Sequence, residues 1–123
     1  MDNEKRTASG NLKISQDVIS SITAYCLREV EGVASLASLG TNLKGWLQAK
    51  RPPKAILVEL NEDVATITVH VNVMYGAKIR EVAENIQRSV KDAVQSMTGI
   101  AVAKVNVVVS GIAFRNPKAE EEE

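Results

Sequence analysis

A chain of 123 residues, 45% of them hydrophobic, can bury one core but not two, and no stretch approaches the roughly 20 apolar residues that cross a bilayer. Its 15 basic and 15 acidic residues cancel, and with one Phe, two Tyr and one Trp it lacks both the charge bias and the stacking platforms of a nucleic-acid binder. One Cys and one His exclude an internal disulfide and a structural zinc site, and Met1-Asp2-Asn3-Glu4-Lys5-Arg6 opens no secretion signal, so a cytoplasmic protein is expected.

Residues 1–10 are polar, end in Ser9-Gly10 and read as a disordered tail. Leu12 and Ile14 suggest a short strand. Ser15 is a good helix N-cap, Asp17 sits where the helix dipole favours an acid, and Val18, Ile19, Ile22, Cys26 and Val30 recur at helical spacing. Glu31-Gly32 closes this helix and Val33 resumes extended structure. Residues 37–54 form a long connection punctuated by Gly40, Gly45 and Pro52-Pro53. Within it Leu39, Leu43, Trp46 and Leu47 fall at helical spacing, and Lys44, Lys50, Arg51 and Lys54 add positive charge with no acid to offset it.

A further strand over Ile56, Val58 and Leu60 is joined by the turn Asn61-Glu62-Asp63 to a long one, giving an antiparallel hairpin. In the long strand Ala65, Ile67, Val69, Val71, Val73 and Tyr75 alternate with Thr66, Thr68, His70, Asn72 and Met74, the pattern of a sheet with one buried and one wet face. A helix follows, with Ile79, Val82, Ala83, Ile86, Val90, Ala93, Val94 and Met97 on one stripe. Thr98-Gly99 stops it, and Ile100 opens a strand in which Ala103, Val105, Val107 and Val109 are expected to share a face. Strand, helix and strand at this length make a crossover with the two strands parallel. The expectation is a single two-layer α+β domain over residues 11–114, of order β-α-β-β-β-α-β, with a mixed sheet and both helices on one face. An acidic, disordered tail over 115–123 ends in Glu120 to Glu123.

Catalytic constellations are missing from the sequence. Gly40-Thr41-Asn42-Leu43-Lys44-Gly45 has the glycine spacing of a phosphate-binding loop, but Trp46 and Leu47 stand where the Lys and the Ser or Thr are required. His70 lies on the wet face among neutral neighbours, and Cys26 on an apolar stripe reads as a buried thiol. Arg80, Glu84 and Arg88 at spacings of four suggest surface ion pairs. No catalytic residue, metal site, cofactor or small-molecule substrate is expected.

Two surfaces invite partners. The sheet face away from the helices carries Leu57, Val64, Met74, Val102, Val108 and Ile112, more apolar surface than water needs, which suggests self-association. The connection supplies Lys44, Trp46, Leu47, Lys50, Arg51 and Lys54 as candidate partner-binding residues, a short amphipathic helix with one apolar and one basic side. Two readings of Trp46 stand here: an anchor for a partner, or a cover folded over the end of the core. Nucleic acid or an anionic membrane is the alternative occupant of the basic 44–54 segment.

From Ile14 to Val109 the chain resembles the alkaline shock protein family, the envelope stress response family of Gram-positive bacteria. The resemblance is carried by Ile14-Ser15, Val18-Ile19, Ile22, Val30-Glu31-Gly32-Val33-Ala34, Val73-Met74-Tyr75-Gly76 and Glu81-Val82-Ala83. Ile86-Gln87, Met97-Thr98-Gly99 and Val105-Asn106-Val107 complete it. The resemblance implies a non-enzymatic interaction or scaffold protein of envelope or alkaline stress homeostasis. It also implies a protein partner, membrane-anchored in one branch, self-association, and in shorter members a link to lipid metabolism.

Overall fold

The computed structural model describes residues 9–37 and 55–114. Their elements are α1 (Gln16–Glu29), β1 (Val33–Leu36), β2 (Ile56–Asn61), β3 (Val64–Met74), α2 (Ile79–Thr98) and β4 (Ala101–Ala113). The expected α+β architecture is present, with one correction at its start. Residues 11–15 belong to no strand, and Leu12 is 80% exposed. Two alternating residues before a helix cap are too few to hold a ladder without tertiary contacts.

Central to the sheet is β3, flanked along one side by β4 in parallel from Val64 to Met74. The other side is shared by two shorter antiparallel strands: β2 covers Val64 to Val69 and β1 covers Val71 to Val73. The mixed sheet therefore follows from the chain order, since a two-residue turn can only join antiparallel neighbours whereas the α2 crossover returns the chain parallel. In that hairpin Glu62 and Asp63 both adopt positive φ, 52° and 69°, the handedness that matches the twist of the paired strands.

Ala65, Ile67, Val69, Val71 and Val73 are fully buried along the inner face of β3, as their alternation requires. Tyr75 is not their continuation, because β3 ends at Met74 and the ring is left 71% exposed. Along β4 two register shifts, near Ala103 and near Ser110, break the period. Val102, Val105, Val107 and Val109 consequently point inward and Ala103 outward, a correction to the expected face, and Val102 is core rather than part of the open surface. An extra residue in a strand flips every side chain beyond it.

Buried on α2 are Val82, Ile86, Val90 and Val94, while Ile79 and Met97 at its ends are exposed. Helix α1 is rotated from the expected stripe. Ile19, Ser20, Thr23, Ala24 and Leu27 are buried, Ile22 and Cys26 are half-buried, and Val18 is exposed. Small Ser20 and Thr23 allow close approach to the layer beneath, and Thr23 Oγ1 donates to Ile19 O at 2.8 Å, so the buried hydroxyl has its partner within the helix. Ser15 caps α1 as expected, its side chain accepting from the Val18 N–H. Gly99 closes α2 with φ 77°. The expected Arg80–Glu84–Arg88 pairing is not formed: Arg88 donates to Asn85 at 3.0 Å, and the surface pair on this helix is Lys78–Glu81 at 3.9 Å.

Candidate interaction surface

Both helices cover the same side of the sheet, and among the described residues the other side is open. From β3 this open face presents Val64, Thr66, Thr68, His70, Asn72 and Met74; β2 adds Leu57 and β4 adds Asn106 and Val108 through their register with it. Leu57 is 54% exposed and Val108 41%. The polar members are tied to one another across strands, Asn106 to Thr68 at 3.3 Å and Asn72 to Ser35 at 3.2 Å. Such cross-strand bonds hold the side chains in place, so the surface is preformed.

Gly111 shows how tightly one end is set. A Cβ built on it would lie 2.8 Å from Asn72 Oδ1, so the amide occupies the space a side chain would take. Gly111→Ala is expected to displace Asn72 from Ser35 and lower stability by about 1 kcal/mol, measured by chemical denaturation. An unchanged midpoint would mean that the amide swings away freely.

At His70 the edge strand opposite β4 is split. In an unbroken antiparallel ladder one residue both donates to and accepts from its partner. Here the two roles fall to residues far apart in sequence: the Ala37 N–H donates to His70 O at 2.8 Å, and the His70 N–H donates to Ala55 O at 2.9 Å. β1 and β2 are thus one edge strand in two pieces, and residues 38–54 are inserted at a single ladder position. The His70 ring stands at this notch, with Nδ1 3.1 Å from Ala55 O. Lys44, Trp46, Leu47, Lys50, Arg51 and Lys54 lie outside the described residues, but both ends of the segment that carries them are fixed beside the open face.

At the far end of β3 and β4, Tyr75 and Phe114 pack ring to ring, with centroids 5.1 Å apart, and the Tyr75 N–H donates to Ala113 O at 2.8 Å. Both rings are exposed. Sequence reading missed this pair because the residues are distant in the chain and meet only through the parallel β3–β4 register; no local pattern announces it.

The remaining reactive groups are set in ordinary surroundings. Cys26 Sγ lies 3.9 Å from Ser89 O in a shallow groove between α1 and α2, where burial, and after it the Glu29 carboxylate, pushes the thiol pKa up. That is the reverse of nucleophile activation. Among the described residues no three His, Cys, Asp or Glu side chains cluster as a metal site, and no helix is long and apolar enough to cross a membrane.

The geometry of the described residues is that of a two-layer α+β domain with helices on one sheet face. Residues 4–114 match the alkaline shock protein 23 family, described as having a cell envelope-related function, and the chain belongs to that family. It is 32% identical over 120 residues to the uncharacterized protein YloU of Bacillus subtilis, covering 95% of this chain and 100% of that one. It is 30% identical to YqhY of the same organism over 122 residues, 98% of this chain and 89% of that one. Spy1614 of Streptococcus pyogenes is 31% identical over 109 residues, 86% of this chain and 90% of that one. Among solved structures, a variant of MamM-CTD superposes with a TM-score of 0.51 at 11% identity, covering 80% of this chain and 96% of that one. At that identity the likeness is one of fold.

Proposed function

We propose that this chain is a non-enzymatic interaction domain serving the cell envelope, whose partner is a protein presenting acidic side chains around an apolar spot. The observation that carries the reading is the split edge at His70. The segment with the chain's one Trp and with Lys44, Lys50, Arg51 and Lys54 enters and leaves the fold at a single ladder position, beside the exposed Leu57 and Val108. An insertion of this length in a small domain is uncommon unless it serves a function. Trp46 and Leu47 supply the apolar anchor and the four cations its rim, the usual division at protein interfaces. The family's envelope-related function supports the setting, and a membrane-anchored partner would bring the protein to the membrane periphery.

Affinity capture from the native cell, followed by titration of the purified captured protein, tests the reading. Trp46→Ala is expected to weaken binding by about 2 kcal/mol or more while leaving the melting temperature unchanged, because aromatic anchors dominate interface energies. A large stability loss with binding intact in the folded fraction would place Trp46 in the core and end the docking reading. Binding that persists when Lys44, Lys50, Arg51 and Lys54 are all changed to Glu would remove the charge component.

A further inference from the structure

Among the described residues strand β4 has one neighbour, β3. The His70 N–H and C=O point to the β1–β2 side, so Ile67, Val69 and Val71 direct their backbone groups to β4. In β4, by the same alternation, Asn106 and Val108 bond back to β3 while Val105, Val107 and Val109 direct theirs outward. Two observations agree with this: the Ala113 carbonyl faces β3, accepting from Tyr75, and the Val105 carbonyl faces outward, accepting from Gln87 Nε2 at 3.1 Å.

Helix α2 caps only the first half of that outer edge. Gln95 Oε1 accepts from the Val102 N–H at 3.0 Å and Gln87 bonds Val105, but among the described residues nothing bonds the outward groups of Val107, Val109 or Ile112. The open half, Val107 to Ala113, has no charge and no Pro to deter pairing. We infer that it pairs antiparallel with the same edge of a second copy, about a two-fold axis near Val108, joining the two sheets into one.

Charge and chain length select the second copy as the occupant. Beside the capped half lies a groove lined by Gln87, Lys91 and the backbone run Val102 to Asn106, with Lys91 and Lys104 as its charged residues. It has no carboxylate, whereas the chain ends in Glu120-Glu121-Glu122-Glu123. Pairing about Val108 sets Phe114 of one copy opposite Val102 of the other, so each acidic tail starts over its neighbour's groove. Within one copy Phe114 and Lys104 are ten residues apart along β4, about 33 Å at strand spacing. Six residues of extended chain from Phe114 bring Glu120 only about 20 Å. The run would have to be held almost fully extended to meet its own lysines, whereas the neighbour's lie a short span from Phe114. Lys104, the strand's one charge, faces Ile112 across the axis, so no like charges meet.

Sedimentation of the full chain at micromolar concentrations tests this. A dimer is expected. Changing Lys91 and Lys104 together to Glu, at exposed positions that leave the core untouched, should raise its dissociation constant roughly tenfold or more. Changing Glu120 to Glu123 to Lys in that background should restore it. Val109→Pro removes an outward N–H while leaving the ladder to β3 intact, and should give a folded monomer by circular dichroism. A monomer at every concentration overturns the inference. So does a dimer indifferent to the charge reversal and its compensating swap, a readout that stands even where Val109→Pro fails to fold. The dimer uses the outward backbone of β4 and the envelope partner the sheet face, with Val108 common to both, so capture of the envelope partner by a monomeric variant would leave the proposed function standing.

Discussion

Ile86→Asp is expected to abolish folding. Ile86 has no exposed surface and lies midway along α2, between Val82 and Val90 on the stripe that closes the core over the sheet. A carboxylate there is surrounded by Val and Ile side chains with nothing to bond it, and burying an unpaired charge costs several kcal/mol beyond the lost packing. A small domain has net stability of about 5–10 kcal/mol, which that loss would consume. Circular dichroism and dispersion of amide proton shifts would report the unfolding. A cooperative melt near that of the wild type would mean that α2 does not bury this face.

Gly32→Ala is expected to cost about 3 kcal/mol, far more than Gly99→Ala, although both glycines adopt positive φ just after a helix, 96° in the turn beyond α1 and 77° at the C-cap of α2. The difference is spatial. A Cβ at Gly32 would stand 2.6 Å from Val82 Cγ2, where α2 presses on the exit from α1, whereas a Cβ at Gly99 meets nothing within 4 Å. Gly99→Ala should therefore show only the backbone penalty, on the order of 1 kcal/mol. Adding Val82→Ala to Gly32→Ala should recover the steric part, giving a favourable coupling of about 1 kcal/mol in a double-mutant cycle. Equal losses at the two glycines would show that contact with α2 plays no part.

The same comparison marks the boundary between local pattern and tertiary packing. Val30-Glu31-Gly32-Val33 and Met97-Thr98-Gly99-Ile100 read alike in sequence, but α1 is capped by extended Val30 with Gly32 in the turn beyond it, whereas Gly99 itself caps α2 in the left-handed conformation. The approach of α2 to Gly32 is a second difference that no local pattern announces. Likewise Val18 and Leu27 of α1 exchange the burial that spacing suggests, because a helix whose apolar residues leave room for small Ser20 and Thr23 can rotate to the tighter fit.

By itself the sequence determined the two helices, the hairpin, the parallel return of β4 and the wet face of β3. Each is written in short-range periodicity of side chains along a chain whose turn lengths permit few alternatives. It also carried the family, through motifs such as Met97-Thr98-Gly99 that survive in register. Only the tertiary structure decided which residues of β4 face inward, since two register shifts reset the alternation without any local mark. Tertiary structure alone joined Ala37 and Ala55 at His70, packed Tyr75 on Phe114 and, among the described residues, left the Val107–Ala113 edge without a neighbour. Those features depend on which strands become neighbours, a contest among long-range pairings that no window of consecutive residues encodes.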